Sequence, residues 1–163
     1  MKTSNWIRMR LLLRPWLMTA ALVITGLTVT AFATLGGDVA SVEADRAHVN
    51  GTVKITQNQA YAVHEIKAEN GTAVREYVSP DGRVFGVAWQ GQFIPDMQQL
   101  LGAYLQQYSA GVKAQHAAGP GRRPLNIQQQ GLVVQTSGHM RSYSGRAYDP
   151  ELLPQGVSAN DIR

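Results

Sequence analysis

His64-Glu65-Ile66-Lys67-Ala68 opens like the HExxH zinc motif, in which two histidines on one helical face hold the metal and the glutamate works as general base. Position 68 is alanine, so the second ligand is missing, and the segment alternates in polarity as a strand does. No metal site is expected from it. Glu65 and Glu76 form a second candidate. If Asn70-Gly71 makes a two-residue hairpin turn, these glutamates stand opposite each other on neighbouring strands. Two carboxylates so placed can act as general acid and base or gather a cation. Like charges directly opposite also disfavour strand pairing, and the alternative is that both point into water. The same register sets His64 opposite Tyr77 and Ile66 opposite Arg75, and a bulged second turn sets Tyr77 opposite Phe85, Arg75 opposite Val87 and Ala73 opposite Trp89. His64, Arg75, Tyr77 and Trp89 then share a face, a candidate binding pocket for an anion or small ligand. The alternative leaves His64 and Arg75 at the sheet margin, with the arginine stem over apolar surface and its head in water.

Other constellations are weaker. Ser144-Gly145 and Ser137-Gly138-His139 contain serine and histidine without the strained G-x-S-x-G turn of a serine hydrolase. Tyr143 and Tyr148, near Arg141 and Arg146, have the amphipathic character of a carbohydrate or peptide surface, or of edge-strand packing. No phosphate loop, dinucleotide fingerprint or EF-hand loop is present. No catalytic residue and no cofactor is assigned.

Three strands must position these residues. Ala60–Ala68, Thr72–Ser79 and Arg83–Gln90 read as a meander, turning at Asn70-Gly71 and at Pro80-Asp81-Gly82. One face of it would carry Ile66, Tyr77, Phe85, Val87 and Trp89. Pro95 begins an amphipathic helix to Tyr108, with Met97, Leu100, Leu101, Tyr104, Leu105 and Tyr108 on one side and glutamines on the other. That stripe is the expected cover for the aromatic face. The Gly/Pro-rich stretch 109–124 reads as a flexible loop. Gly131–Thr136 and His139–Tyr148 form a second hairpin, and 149–163 is an irregular tail in which Ser158 to Asp161 has the makings of a capped turn. Upstream, 34–58 is polar, with a short helix over 38–49 ended by Asn50-Gly51. The expected fold is α+β: an antiparallel sheet of about five strands with one amphipathic helix across a face.

The first 33 residues have the order of a secretory signal peptide. Lys2, Arg8, Arg10 and Arg14 make a basic head, Trp16 to Thr30 an apolar stretch, and Ala31-Phe32-Ala33 a cleavage site before Thr34. The apolar run is shorter than the roughly 20 residues of a membrane span, so no stable membrane anchor is expected after cleavage. No Arg-Arg pair precedes it, which points to the general secretory route, with the Sec machinery and signal peptidase as partners. The leader holds four of the 15 Lys and Arg and none of the 11 Asp and Glu, so 34–163 carries 11 of each. Without clustered basic residues, nucleic acid is not an expected partner. The chain has no cysteine, which excludes disulfides, thiolate metal sites and lipidation at the cleavage point.

Several phrases taken together resemble a known family: Leu35-Gly36-Gly37, Tyr61-Ala62-Val63-His64-Glu65, Val74-Arg75-Glu76-Tyr77-Val78, Val84 to Gly91, Gly145-Arg146-Ala147-Tyr148 and Leu152 to Val157. The chain is similar over nearly all of 34–163 to the exported proteobacterial family called domain of unknown function 2844. That resemblance implies export and a shared fold, with no activity to carry over. The expected function is a non-enzymatic periplasmic or secreted binding or accessory module. The alternatives are a small envelope hydrolase using Glu65/Glu76 or His64, and a structural component of an envelope assembly with an envelope protein partner.

Overall fold

The computed structural model describes residues 35–39, 42, 52–119 and 124–163. The expected leader, its cleavage site and most of the 38–49 helix with its Asn50-Gly51 stop lie outside the described residues.

Among the described residues seven strands form one antiparallel sheet: β1 (Thr52–Gln57), β2 (Ala62–Lys67), β3 (Ala73–Val78), β4 (Val84–Gly91), β5 (Asn126–Gln129), β6 (Leu132–His139) and β7 (Ser142–Tyr148), in the order β1-β2-β3-β4-β7-β6-β5. The α+β class holds, with two more strands than the five expected. β1 lies in the polar stretch 34–58, where no strand is expected, yet Thr52, Val53, Ile55 and Thr56 are β-branched and suit an edge strand. β5 is a short, glutamine-rich strand of the kind whose pairing comes from context.

The meander exists in a different register. Ala68 N–H donates to Thr72 O at 2.9 Å and Gly71 N–H to Ala68 O at 3.0 Å, so the loop is Glu69-Asn70-Gly71. Asn70 Oδ1 accepts the Thr72 N–H at 2.9 Å, and Gly71 takes a φ of +82°, the left-handed conformation such a three-residue turn needs. One extra loop residue slides the register by one, which changes every facing pair. Glu65 faces Arg75, His64 faces Glu76 and Ile66 faces Val74. A second slip comes from a bulge: Val78 pairs with Val84 but Tyr77 with Gly86, leaving Phe85 extra. Arg75 therefore faces Ala88 and Val74 faces Trp89.

Asp96 caps the helix that follows, its carboxylate accepting the Gln98 and Gln99 N–H groups at 2.8 and 3.4 Å, and Pro95 precedes that cap. α1 (Met97–Leu101) passes through a 3₁₀ turn (Gly102–Tyr104) into α2 (Leu105–Ala118). Most of the stretch expected as a loop is thus helix. Gly111 did not end it: a side chain there would overlap Ile127 of β5, so the glycine lets the helix lie against the sheet.

Both sheet faces are covered. Ile66, Val74, Val87, Trp89, Val134 and Ala147 pack under Leu35, Leu100 and Leu101 on the helix side. Tyr77, Phe85 and Ala88 lie on the opposite face under Ile162, with Leu152, Leu153 and Val157 beside them. The expected single aromatic face is therefore divided, because the register slip and the bulge send Tyr77 and Phe85 away from the helix. The tail is ordered, with 3₁₀ turns at Pro150–Leu152 and Ala159–Asp161, the second closed by a Ser158/Asp161 capping box. Tyr104 ties the helix to the start of this tail, its hydroxyl donating to Asp149 Oδ2 at 2.6 Å.

Candidate functional site

The glutamates do not meet. Strand alternation and the three-residue loop place Glu65 and Glu76 on opposite faces, so the acidic pair is withdrawn as a geometric unit. Glu65 accepts from Arg75 Nε at 2.9 Å and lies 3.5 Å from Lys67 Nζ. The Arg75 hydrogen bond holds its carboxyl below the ordinary carboxylate range, against a smaller opposing effect of burial. Glu76 is fully buried on the helix side, opposite His64. Burial lowers the His64 pKa, which favours the neutral imidazole.

The expected pocket of His64, Arg75, Tyr77 and Trp89 is likewise split. His64 and Trp89 belong to the helix face, Arg75 and Tyr77 to the tail face. Arg75 Nη1 and Tyr77 Oη donate to the Arg163 backbone oxygen at 3.1 and 2.7 Å, and Arg163 N–H donates back to Tyr77 Oη at 2.9 Å. Burial pushes the Tyr77 hydroxyl up, so it stays a proton donor. A cleft of about 600 Å³ beside these groups is bordered by Lys54, Glu65 and Asp161, and the tail already uses its best donors.

Trp89 stands at a different cleft, of about 620 Å³, on the helix side. The tryptophan is 3% exposed, its ring against the backbone of Gly145 on β7, where any side chain would overlap it. Met97 of α1 and Tyr108 of α2 line the cleft with it, together with Leu125 before β5 and Tyr143 of β7. Thr136, Ser137, Gly138 and His139 bring the end of β6 to its wall. Burial raises the Tyr108 pKa, keeping its hydroxyl neutral. Among the described residues no Asp, Glu, Lys or Arg lines this space. Its mouth holds Ile94, 60% exposed, and Met140, 87% exposed. The sequence carried a signal for it: Phe93-Ile94 before a helix cap, and Met140 in a hairpin turn, are apolar residues where turn chemistry favours polar ones. Among the described residues no group of three or more His, Asp or Glu is placed to hold a metal ion.

These features define a small α+β module on one seven-stranded antiparallel sheet, with a cleft between helix and hairpin that no Asp, Glu, Lys or Arg lines among the described residues. The chain belongs to the family of proteins of unknown function DUF2844, whose family model matches residues 31–162. No curated protein and no solved structure is similar enough to match it.

Proposed function

We infer that this protein is an exported, non-enzymatic binding module that takes an uncharged apolar ligand in the cleft beside Trp89. The observation that carries the reading is the cleft itself. It is large enough for a small ligand, floored by aromatic and methionine side chains, free of charged lining among the described residues, and rimmed by exposed Ile94 and Met140. Met97 and Met140 give it walls that adapt to the occupant. Export rests on the leader, and a periplasmic or extracellular site of action follows from it. The separation of Glu65 from Glu76 removes the paired-acid basis for a hydrolase.

The test is a titration of the purified protein with N-phenyl-1-naphthylamine, a neutral apolar fluorophore. Saturable binding that quenches Trp89, and that weakens in Met140→Glu, is the expected result. No change in Trp89 emission at saturating fluorophore would overturn the reading. The assembly-component alternative draws on a different observation. β1 is an edge strand with Ile55 61% exposed, and such edges recruit further strands. Elution well above the monomer mass would favour it.

A further inference from the structure

We propose that a cleft on the tail face of the sheet binds a tetrahedral oxyanion, the phosphate or sulfate group of a small polar ligand. This site is independent of the apolar reading of the Trp89 cleft. Strand pairing builds it. Arg75 of β3 faces Ala88 of β4, and Ala88 faces Arg146 of β7, so the two arginines flank a small residue on one face, about 10 Å apart at the backbone. Their side chains converge on consecutive carbonyls of the tail. Arg146 Nη1 donates to Ile162 O at 3.3 Å and Arg75 Nη1 to Arg163 O at 3.1 Å. Two residues along the same strands, Gln90 faces Ser144, and Ser144 faces Ser137 of β6.

The cleft among these groups measures about 340 Å³, the size of a small-ligand site. Arg75, Arg146 and Arg163 line it, and among the described residues no Asp or Glu does. Thr136, Ser137 and Ser144 border the Trp89 cleft as well, but the three arginines belong to this side alone. The acids of this face border the neighbouring cleft and are engaged there: Glu65 with Arg75 and Lys67, Asp161 with the Ser158 N–H and hydroxyl. Anchoring the tail does not account for the gathered charge. Arg75 and Arg146 use Nε on Glu65 and Gln135 and Nη1 on tail carbonyls, and Nη2 of each carries no hydrogen bond among the described residues. Arg163 is held through its backbone, so its guanidinium adds a third positive charge that the anchoring does not use.

This donor set selects the ligand chemistry. Guanidinium groups brought together without a lining carboxylate repel one another, and a bound anion relieves that repulsion. A carboxylate offers two oxygens in one plane, which a single forked arginine satisfies. Here the donors come from β3, β7 and the tail, with the Gln90 amide and the Ser137 and Ser144 hydroxyls beside them. Three arginines on separate elements suit a group with three or more acceptor oxygens. The neutral amides and hydroxyls then face the polar remainder of the ligand.

The experiment is a calorimetric titration of the full chain with inorganic phosphate, sulfate and acetate, at an ionic strength held constant with chloride. Phosphate or sulfate should bind saturably, the tighter of the two naming the group, and acetate at least about tenfold more weakly. The Nε–H resonances of Arg75 and Arg146 should shift as the tighter anion saturates. Gln90 is exposed, so Gln90→Glu sets a carboxylate in the cleft without touching the tail contacts. It should weaken oxyanion binding at least about tenfold, and Arg163→Gln should weaken it too. Neither residue lines the Trp89 cleft, so both variants should bind N-phenyl-1-naphthylamine as the parent does. No saturable binding of phosphate or sulfate overturns the site, whatever the fluorophore does. Acetate binding as tight as either overturns the tetrahedral selection, and undiminished binding in both variants overturns the location.

Discussion

The contact between Gly86 and Ile162 allows a double-substitution test of how the tail holds the sheet. Ile162 is completely buried against the tail face. A β-carbon on Gly86 would stand 2.7 Å from its Cδ1, 3.3 Å from Cγ1 and 3.5 Å from Cγ2. Ile162→Ala removes buried carbons worth about 0.8 kcal/mol each and leaves a cavity, for a total cost of about 2–5 kcal/mol. Gly86→Ala overpacks the same spot at about 1–3 kcal/mol, moderated because the clash is with the flexible end of the isoleucine. In the double variant the new methyl enters the vacated space. The two effects should then fall short of their sum by about 1–2 kcal/mol. Urea unfolding gives the three stabilities, and hydrogen exchange of the 158–163 amides shows whether the tail undocks before the sheet melts. Undocking limits the measured loss to the tail's own docking free energy. Additivity within about 0.5 kcal/mol would refute the packing argument, as would an Ile162→Ala cost below about 1 kcal/mol with tail protection unchanged.

Three more outcomes are expected. The Tyr104 hydroxyl is pushed up to about 12, by burial first and then by its bond to Asp149. Its neutral form is thus favoured by folding, a stabilisation present below the unfolded value near 10 and lost as pH rises toward 12. After allowance for partial exposure this is about 1–2 kcal/mol, and Tyr104→Phe should abolish that step in an alkaline melting series. Arg75→Met releases Glu65 and the Arg163 carbonyl together. It should cost about 1 kcal/mol, speed exchange of the 158–163 amides, and remove the stability that is lost as pH falls through the depressed Glu65 value. Expression of the full chain in a secreting bacterium should yield a product beginning at Thr34 by mass spectrometry; retention of residues 1–33 would sink the leader assignment.

The strongest local signals survived folding because local chemistry enforces them. Pro80-Asp81-Gly82 turns as read, with Ser79 N–H on Arg83 O at 2.8 Å and Gly82 at a φ of +84°. Asn70-Gly71 also turns, but the same two residues serve a two- or a three-residue loop, and nothing in their identity chooses between them. That ambiguity decided the site. One residue of slip separated Glu65 from Glu76 and set His64 against Glu76. The bulge at Phe85 was hidden for a similar reason, since an extra residue in a run of apolar side chains leaves no mark on the pattern. Gly111 misled in the opposite direction, because its packing against Ile127 is a tertiary fact. Trp89 was legible as a core-facing residue of the third meander strand, whereas its neighbours Gly138 and Tyr143 come from strands whose place beside it is fixed by the long-range β4–β7 pairing.

That pairing also sets an order of events. β1 to β4 form from local turns, and so do β5 to β7, but the two halves join only where Gly86 to Gly91 meets Tyr143 to Tyr148. The seam spans more than fifty residues of chain, and the tail face closes only after Ile162 reaches Gly86. Contacts of such sequence separation form late and slowly. A polypeptide built this way stays an open pair of ribbons until its 142–163 segment is available, the condition in which a narrow channel can still thread it.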